Sequence, residues 1–261
     1  MDYKIVFLDI DGTILMPDHT YTESTKEAIG QLKDQGIEVF IATGRPIHEI
    51  KELAEELKVT SFIGYNGALA IHNNKPVVDE PMKRSLVLKL LETARELHSE
   101  MLLYTSGKNY FTNLEHPDLQ NFADTFQFKN NYLLTDEVLD QILGISIINV
   151  KPSEIAHFEI DDTLRLSEIN VEGIEDAVDV IRTHVNKGEA IKKILHRLNI
   201  NREQSIAFGD GMNDKEMIEV VGEGFAMGNS HPDLFQYAKH TTTSVSDSGI
   251  YNGLKKLGIV N

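Results

Sequence analysis

The chain has 261 residues, 41% hydrophobic and 25% charged, with no cysteine. That is enough apolar material for a sizeable core and argues against wholesale disorder; zero cysteines exclude disulfides, thiol catalysis and cysteine-built zinc sites, and leave the redox compartment open. A formal net charge of −16 argues against sequence-independent nucleic-acid binding, which needs a dense cationic surface. No apolar run approaches membrane-spanning length and no leader pattern precedes the first apolar run, so the default expectation is a cytoplasmic protein without a membrane partner.

From the N-terminus the pattern predicts a strand at 4–9, a helix at about 23–35, a strand at 37–42, a helix at 46–58 and a short strand at 62–64. This βαβαβ order implies a parallel sheet in an α/β fold of Rossmann-like type. Thr22 or Ser24 can cap the first helix, Gly36 can end it, and Pro46 suits the first turn of the second. Residues 68–71 and 77–80 read as a hairpin around Asn73-Asn74-Lys75-Pro76.

The grammar then changes. A helix over 84–98, short strands near 101–105, 109–113 and 145–150, and two more strands within 166–184 around Glu172-Gly173 read as an inserted α+β domain. The parallel grammar returns with a helix at 188–198, a strand at 204–208, a helix at 213–221, a strand at 224–227 and a last helix near 247–257. The expected organisation is a discontinuous core, 1–81 and 186–261, interrupted by a domain at 82–185. More than half of the net negative charge falls in that insertion, where 9 Lys and Arg face 18 Asp and Glu.

Two acidic loops follow apolar runs: Asp9-Ile10-Asp11-Gly12-Thr13 after Ile5–Leu8, and Gly209-Asp210-Gly211-Met212-Asn213-Asp214 after Ser205–Phe208. Both therefore sit at the C-terminal ends of buried parallel strands, which line the ligand crevice of an open α/β sheet. Carboxylates brought together there repel unless a cation intervenes, and oxygen ligands without nearby His or Cys suit Mg2+ better than zinc. Alternation puts Asp9 and Asp11 on one side, so one carboxylate can attack phosphorus while the other handles protons; the alternative is a capped turn after a strand. Thr43-Gly44-Arg45 places a hydroxyl and free amide groups at the same sheet edge, fit for an anion or for an ordinary N-cap. Lys187 opens a helix where the core grammar resumes; it can neutralise a phosphoryl group, although most lysines are simply solvated.

With Asp9 and Asp11, Thr43, Lys187, and Asp210 and Asp214 in that order, the chain resembles the haloacid dehalogenase superfamily of phosphohydrolases. Ile41-Ala42-Thr43-Gly44-Arg45, Tyr65-Asn66-Gly67-Ala68 and Ala226-Met227-Gly228-Asn229 resemble its Cof-type branch, which carries an α+β cap of type IIB. The resemblance implies Asp9 as nucleophile and metal ligand, and Asp11 as acid/base offering its backbone carbonyl to Mg2+. It implies Asp210 as third ligand and Asp214 as support for the metal site. Thr43, Gly44, Lys187 and Asn213 would hold phosphoryl oxygens, Thr13 would steady the first loop, and Arg45 would reach toward cap or substrate. The expected activity is Mg2+-dependent hydrolysis of a small phosphomonoester, a sugar phosphate, nucleotide or vitamin-related phosphate, through an aspartyl phosphate. The alternatives are a phosphomutase of the same fold and a regulator that binds a phosphometabolite without turnover. Substrate and oligomeric state are not legible.

Overall fold

A computed structural model describes residues 2–169, 171 and 173–261. In chain order the elements are β1 (Ile5–Leu8), α1 (Glu23–Asp34), β2 (Glu38–Ala42), α2 (Lys51–Glu56), β3 (Ser61–Gly64), β4 (Leu69–His72), β5 (Lys75–Asp79), α3 (Arg84–Leu97), β6 (Glu100–Tyr104), β7 (Asn109–Phe111), α4 (Pro117–Thr125) and β8 (Asn131–Leu133). They continue with β9 (Gly144–Ile148), α5 (Ile155–Phe158), β10 (Leu164–Glu168), β11 (Ala177–Arg182), α6 (Lys187–Leu198), β12 (Ser205–Gly209), α7 (Lys215–Val220), β13 (Glu223–Ala226), β14 (His240–Thr241) and α8 (Gly249–Lys256). The chain divides into two compact units, one of residues 1–45, 51–79 and 186–261, the other of 46–50 and 80–185.

The first unit is built on an eight-stranded sheet of order β14-β13-β12-β1-β2-β3-β4-β5, parallel except for the β3-β4-β5 meander. β1, β2, β3, β12 and β13 are buried nearly throughout, as continuous apolar runs require when helices cover both faces. Ile5 and Phe7 of β1 pack with Phe40, Ala42, Ala207 and the apolar sides of α6 and α7, while α1 and α8 pair with each other. Gly253 of α8 allows that helix to lie close to the sheet, since a Cβ there would come within 2.4 Å of the Phe208 ring.

The second unit holds a six-stranded sheet, β10-β11-β9-β6-β7-β8, antiparallel but for the β7-β8 pair. One sheet face, with Met101, Leu103, Ile145, Ile147, Val178 and Val180, packs against Val87, Leu90 and Ala94 of α3. Three buried residues of that helix at spacings of three and four give the stripe that the face requires.

Several local expectations change. Pro46 precedes a 3-10 turn, Ile47–Glu49, and the α-helix starts only at Lys51. Within the second unit, buried Asn109 needs partners and takes them from this segment: its Nδ2 donates to Glu49 Oε1 at 2.8 Å, and its Oδ1 lies 3.0 Å from His48 Nε2. The hairpin turn is tighter than expected, because Asn73 and Asn74 both take positive φ (47° and 63°) and Lys75-Pro76 falls inside β5. Proline is tolerated there on an edge strand beside a register irregularity at Ala70/Ile71. α4 and β8 were not anticipated, although Pro117-Asp118 is a helix-start signal. Glu172, centre of the expected turn between β10 and β11, lies outside the described residues. Among the described residues no helix is long and apolar enough to cross a membrane.

Candidate active site

β1 and β12 lie side by side in register from Ile5↔Ser205 to Leu8↔Phe208, and the Asp9 amide extends the ladder by donating to the Phe208 carbonyl at 3.1 Å. From β1 the sheet runs one way through β2 and the other way through β12, which is the strand reversal where α/β sheets open a crevice. Asp9 follows β1 directly and Asp210 follows β12. Asp9, Asp210 and Asp214 each offer a carboxylate oxygen, and these oxygens lie within 4.8 Å of one another.

The cation facing them is the first residue of α6. Lys187 is fully buried, and its Nζ donates to Asp9 Oδ1 and Asp214 Oδ1 at 2.6 Å each. α6 begins at this point because Asn186 Oδ1 caps it, accepting from the Glu189 amide at 2.9 Å. Gly188 lets α6 approach α7, as a Cβ there would lie 2.5 Å from the Glu216 carbonyl oxygen. Asp214 Oδ2 accepts from the amides of Asp210 and Gly211 at 3.0 and 3.1 Å, so this carboxylate fixes both the lysine and the second acidic loop.

Ionised, three carboxylates confront one ammonium. Burial, then the neighbouring Asp214, push the Asp9 carboxyl well above its ordinary range despite the opposing pull of Lys187. Burial and Asp214 likewise raise Asp210 to about 6. Burial alone would depress Lys187, but Asp214 and Asp9 outweigh it and raise the ammonium above its usual value. Three ionised carboxylates exceed the one ammonium in number, and burial makes that excess of negative charge costly. A hard divalent cation with oxygen ligands fits that excess.

The remaining expected residues sit around this cluster. The Asp11 carboxylate is exposed, outside the acidic group, and held by Arg45 in a two-pronged pair, with Nε donating to Oδ2 at 2.9 Å and Nη2 to Oδ1. Gly12 takes φ +80°, and a Cβ there would stand 2.1 Å from Asp210 Oδ2, so only glycine lets the two loops close up. Thr13 is buried and its hydroxyl donates to Asp210 Oδ1 at 3.0 Å. Thr43 Oγ1 accepts from the Arg45 amide at 3.0 Å. Gly44 abuts the Asn66 side chain, whose Oδ1 accepts from Asn213 Nδ2 at 3.2 Å.

Two residues of this frame were quoted in the sequence only as parts of motifs. Asn66, at φ 51°, links the Gly44 loop to Asn213, and its position before Gly67 was the available signal. Asn229 donates to the Gly12 carbonyl at 2.8 Å and accepts from the Val245 amide at 2.8 Å. Beside it, the His231 amide donates to the Asp210 carbonyl at 2.9 Å, so one loop braces both acidic turns.

The haloacid dehalogenase-like hydrolase family model matches residues 6–254. A Bacillus subtilis (strain 168) protein named "Putative phosphatase YkrA" is 34% identical over 265 residues, spanning 100% of both chains. An "HMP-PP phosphatase" of Yersinia pseudotuberculosis is 32% identical over 250 residues, covering 90% of this chain and 87% of its own. A crystal structure of a protein from Geobacillus kaustophilus HTA426 superposes with a TM-score of 0.88 at 29% identity, covering 99% of this chain and 100% of that one. The chain belongs to the haloacid dehalogenase-like hydrolases and is an enzyme of their phosphatase class.

Proposed function

We propose that the protein is a Mg2+-dependent phosphatase that hydrolyses small phosphorylated metabolites through a phosphoryl group carried on Asp9. The observation that carries this reading is the buried Lys187 ammonium shared between Asp9 and Asp214, beside a third carboxylate that it does not neutralise. Asp9, Asp210 and the Asp11 carbonyl would hold the metal with Asp214 in support, and bound Mg2+ would draw charge from the phosphoryl oxygens.

The chain's own groups supply the rest. Lys187 fixes one Asp9 oxygen and leaves the other for attack on phosphorus. The ester P–O bond breaks as the new P–O bond to Asp9 forms, and Asp11, having taken up a proton from solvent once Arg45 leaves it for the substrate, gives that proton to the departing alcohol. Asp11, now a carboxylate, takes a proton from water, which attacks the same phosphorus; inorganic phosphate leaves and Asp9 returns to its starting state. Thr43, Gly44 and Asn213 would hold the phosphoryl oxygens, with Asn66 fixing the spacing of the last two. Thr13, expected among the phosphate-binding residues, would act in this scheme through the hydroxyl that it gives to Asp210. Arg45 orients Asp11 before substrate arrives and is then free to meet the substrate.

Residues 82–185 would act as a cap that selects the substrate, which is a small phosphomonoester; one relative bears the name HMP-PP phosphatase. The test is free-phosphate release from a phosphometabolite panel, with and without Mg2+. Isomerised phosphosugar in place of free phosphate, or binding without turnover across the panel, would overturn the reading.

A further inference from the structure

The second unit is strongly acidic, with 9 Lys and Arg against 18 Asp and Glu over residues 82–185, so cations gathered in one place within it stand out. Such a gathering surrounds a cavity of about 480 Å³ whose wall includes Lys83, Ser85, Lys89, Thr163, Arg182 and His184, all of the second unit. Arg182 is anchored on its wall: Nη1 donates to the Glu80 carbonyl at 2.7 Å and Nη2 to the Leu143 carbonyl at 3.2 Å. Burial draws its pKa down to about 10, partly offset by the Glu80 carboxylate, which leaves the guanidinium charged at neutral pH.

The wall also carries two acids, Glu80 and Asp161, against the three cations Lys83, Lys89 and Arg182. Asp161 already accepts from the Thr163 amide at 2.9 Å and from its hydroxyl at 2.5 Å. Those two bonds hold its carboxyl below the ordinary range, and Lys89 and Lys83 deepen the effect, which places both ammonium groups within electrostatic reach of this wall. α3 adds to the positive field, since it starts with Lys83 as N-cap, without a side-chain cap and without an acid in its first turn.

We propose that this cavity binds a phosphate-type dianion at a site distinct from the Asp9 cluster. Two lysines and a guanidinium supply charge-assisted donors, and Ser85 supplies a hydroxyl suited to a tetrahedral oxyanion. Lys83 lies just after the chain passes into the second unit, and Arg182 and His184 just before it passes out. An anion held by both sides would tie the two crossings together. The shared ligand chemistry has two sources, inorganic phosphate, which is the product of the proposed reaction, and a phosphorylated metabolite.

Calorimetric titration of the full chain with inorganic phosphate and, separately, with methylphosphonate tests this, using wild type and the double variant Lys83→Glu/Lys89→Glu. Both lysines are exposed, so circular dichroism should show an unchanged fold. The variant is expected to bind one phosphate fewer per chain than wild type, or to bind that phosphate at least about tenfold more weakly. Tighter binding of inorganic phosphate would identify product as the occupant, and tighter binding of methylphosphonate would identify a phosphoryl metabolite. Identical stoichiometry and affinity in the two proteins would overturn the proposal. Because the readout is binding, it stands apart from whether the Asp9 cluster turns substrate over.

Discussion

Asp9 illustrates how much a single carboxylate depends on its setting. Its amide belongs to the sheet, one oxygen belongs to Lys187, and burial with a second aspartate raises its pKa, so the group is fixed in place yet electrostatically unsettled. Asp9→Asn keeps the shape and removes the proposed nucleophile; kcat is expected to fall by at least about 10³-fold in a phosphate-release assay. Asp11→Asn should lower kcat by roughly 10²–10⁴-fold with KM nearly unchanged, and a raised KM at unchanged kcat would contradict its role. Asp9, Lys187 and Asp210 were legible because each opens or closes a contiguous motif beside an apolar run. Asn66 and Asn229 were not, because their partners lie 147 and 217 residues away and nothing in their local sequence names those partners.

At the scale of elements, α6 is a lysine carrier whose start point matters more than its length. Asn186→Ala removes the bond to the Glu189 amide, at a cost of about 1 kcal/mol in the chemical-denaturation midpoint analysis. Activity should fall with it, since Lys187 is the next residue. On the sheet of the second unit, Ser146 Oγ of β9 donates to Asp179 Oδ1 of β11 at 2.5 Å, and burial raises that carboxyl to about 6. The folded protein then holds the Asp179 proton more tightly than the unfolded chain does. Its ionisation therefore costs stability above about pH 6, and the cost fades as pH falls toward 4. Asp179→Asn is expected to raise Tm at pH 8 and to lose that advantage near pH 4; an advantage independent of pH would exclude this origin. The parallel strands of the core were readable as elements because burial on both faces makes them unbroken apolar runs. The 3-10 turn at Ile47–Glu49 was not, since buried Asn109, some sixty residues onward, claims its side chains.

For the whole molecule, the excess of acid at the strand reversal links metal, activity and stability. EDTA is expected to abolish turnover and Mg2+ to restore it, while Zn2+ alone should not substitute. Binding Mg2+ to the folded state alone should also raise Tm in a concentration-dependent way, which differential scanning fluorimetry would register. Restoration by Zn2+ but never by Mg2+ would show that the oxygen site is misread.

The central position of β1 has a consequence for the making of the protein. One neighbour, β2, is complete by Ala42, but the other, β12, begins only at Ser205. At ribosomal speeds that gap is on the order of ten seconds, during which one side of a wholly apolar strand has no partner while residues 80–185 emerge and can fold. A nascent chain therefore carries Asp9 long before it carries Lys187, Asp210 or Asp214. It passes that interval with a sticky strand and no chemistry, and it acquires its missing partner, Ser205–Gly209, immediately before Asp210 and Asp214.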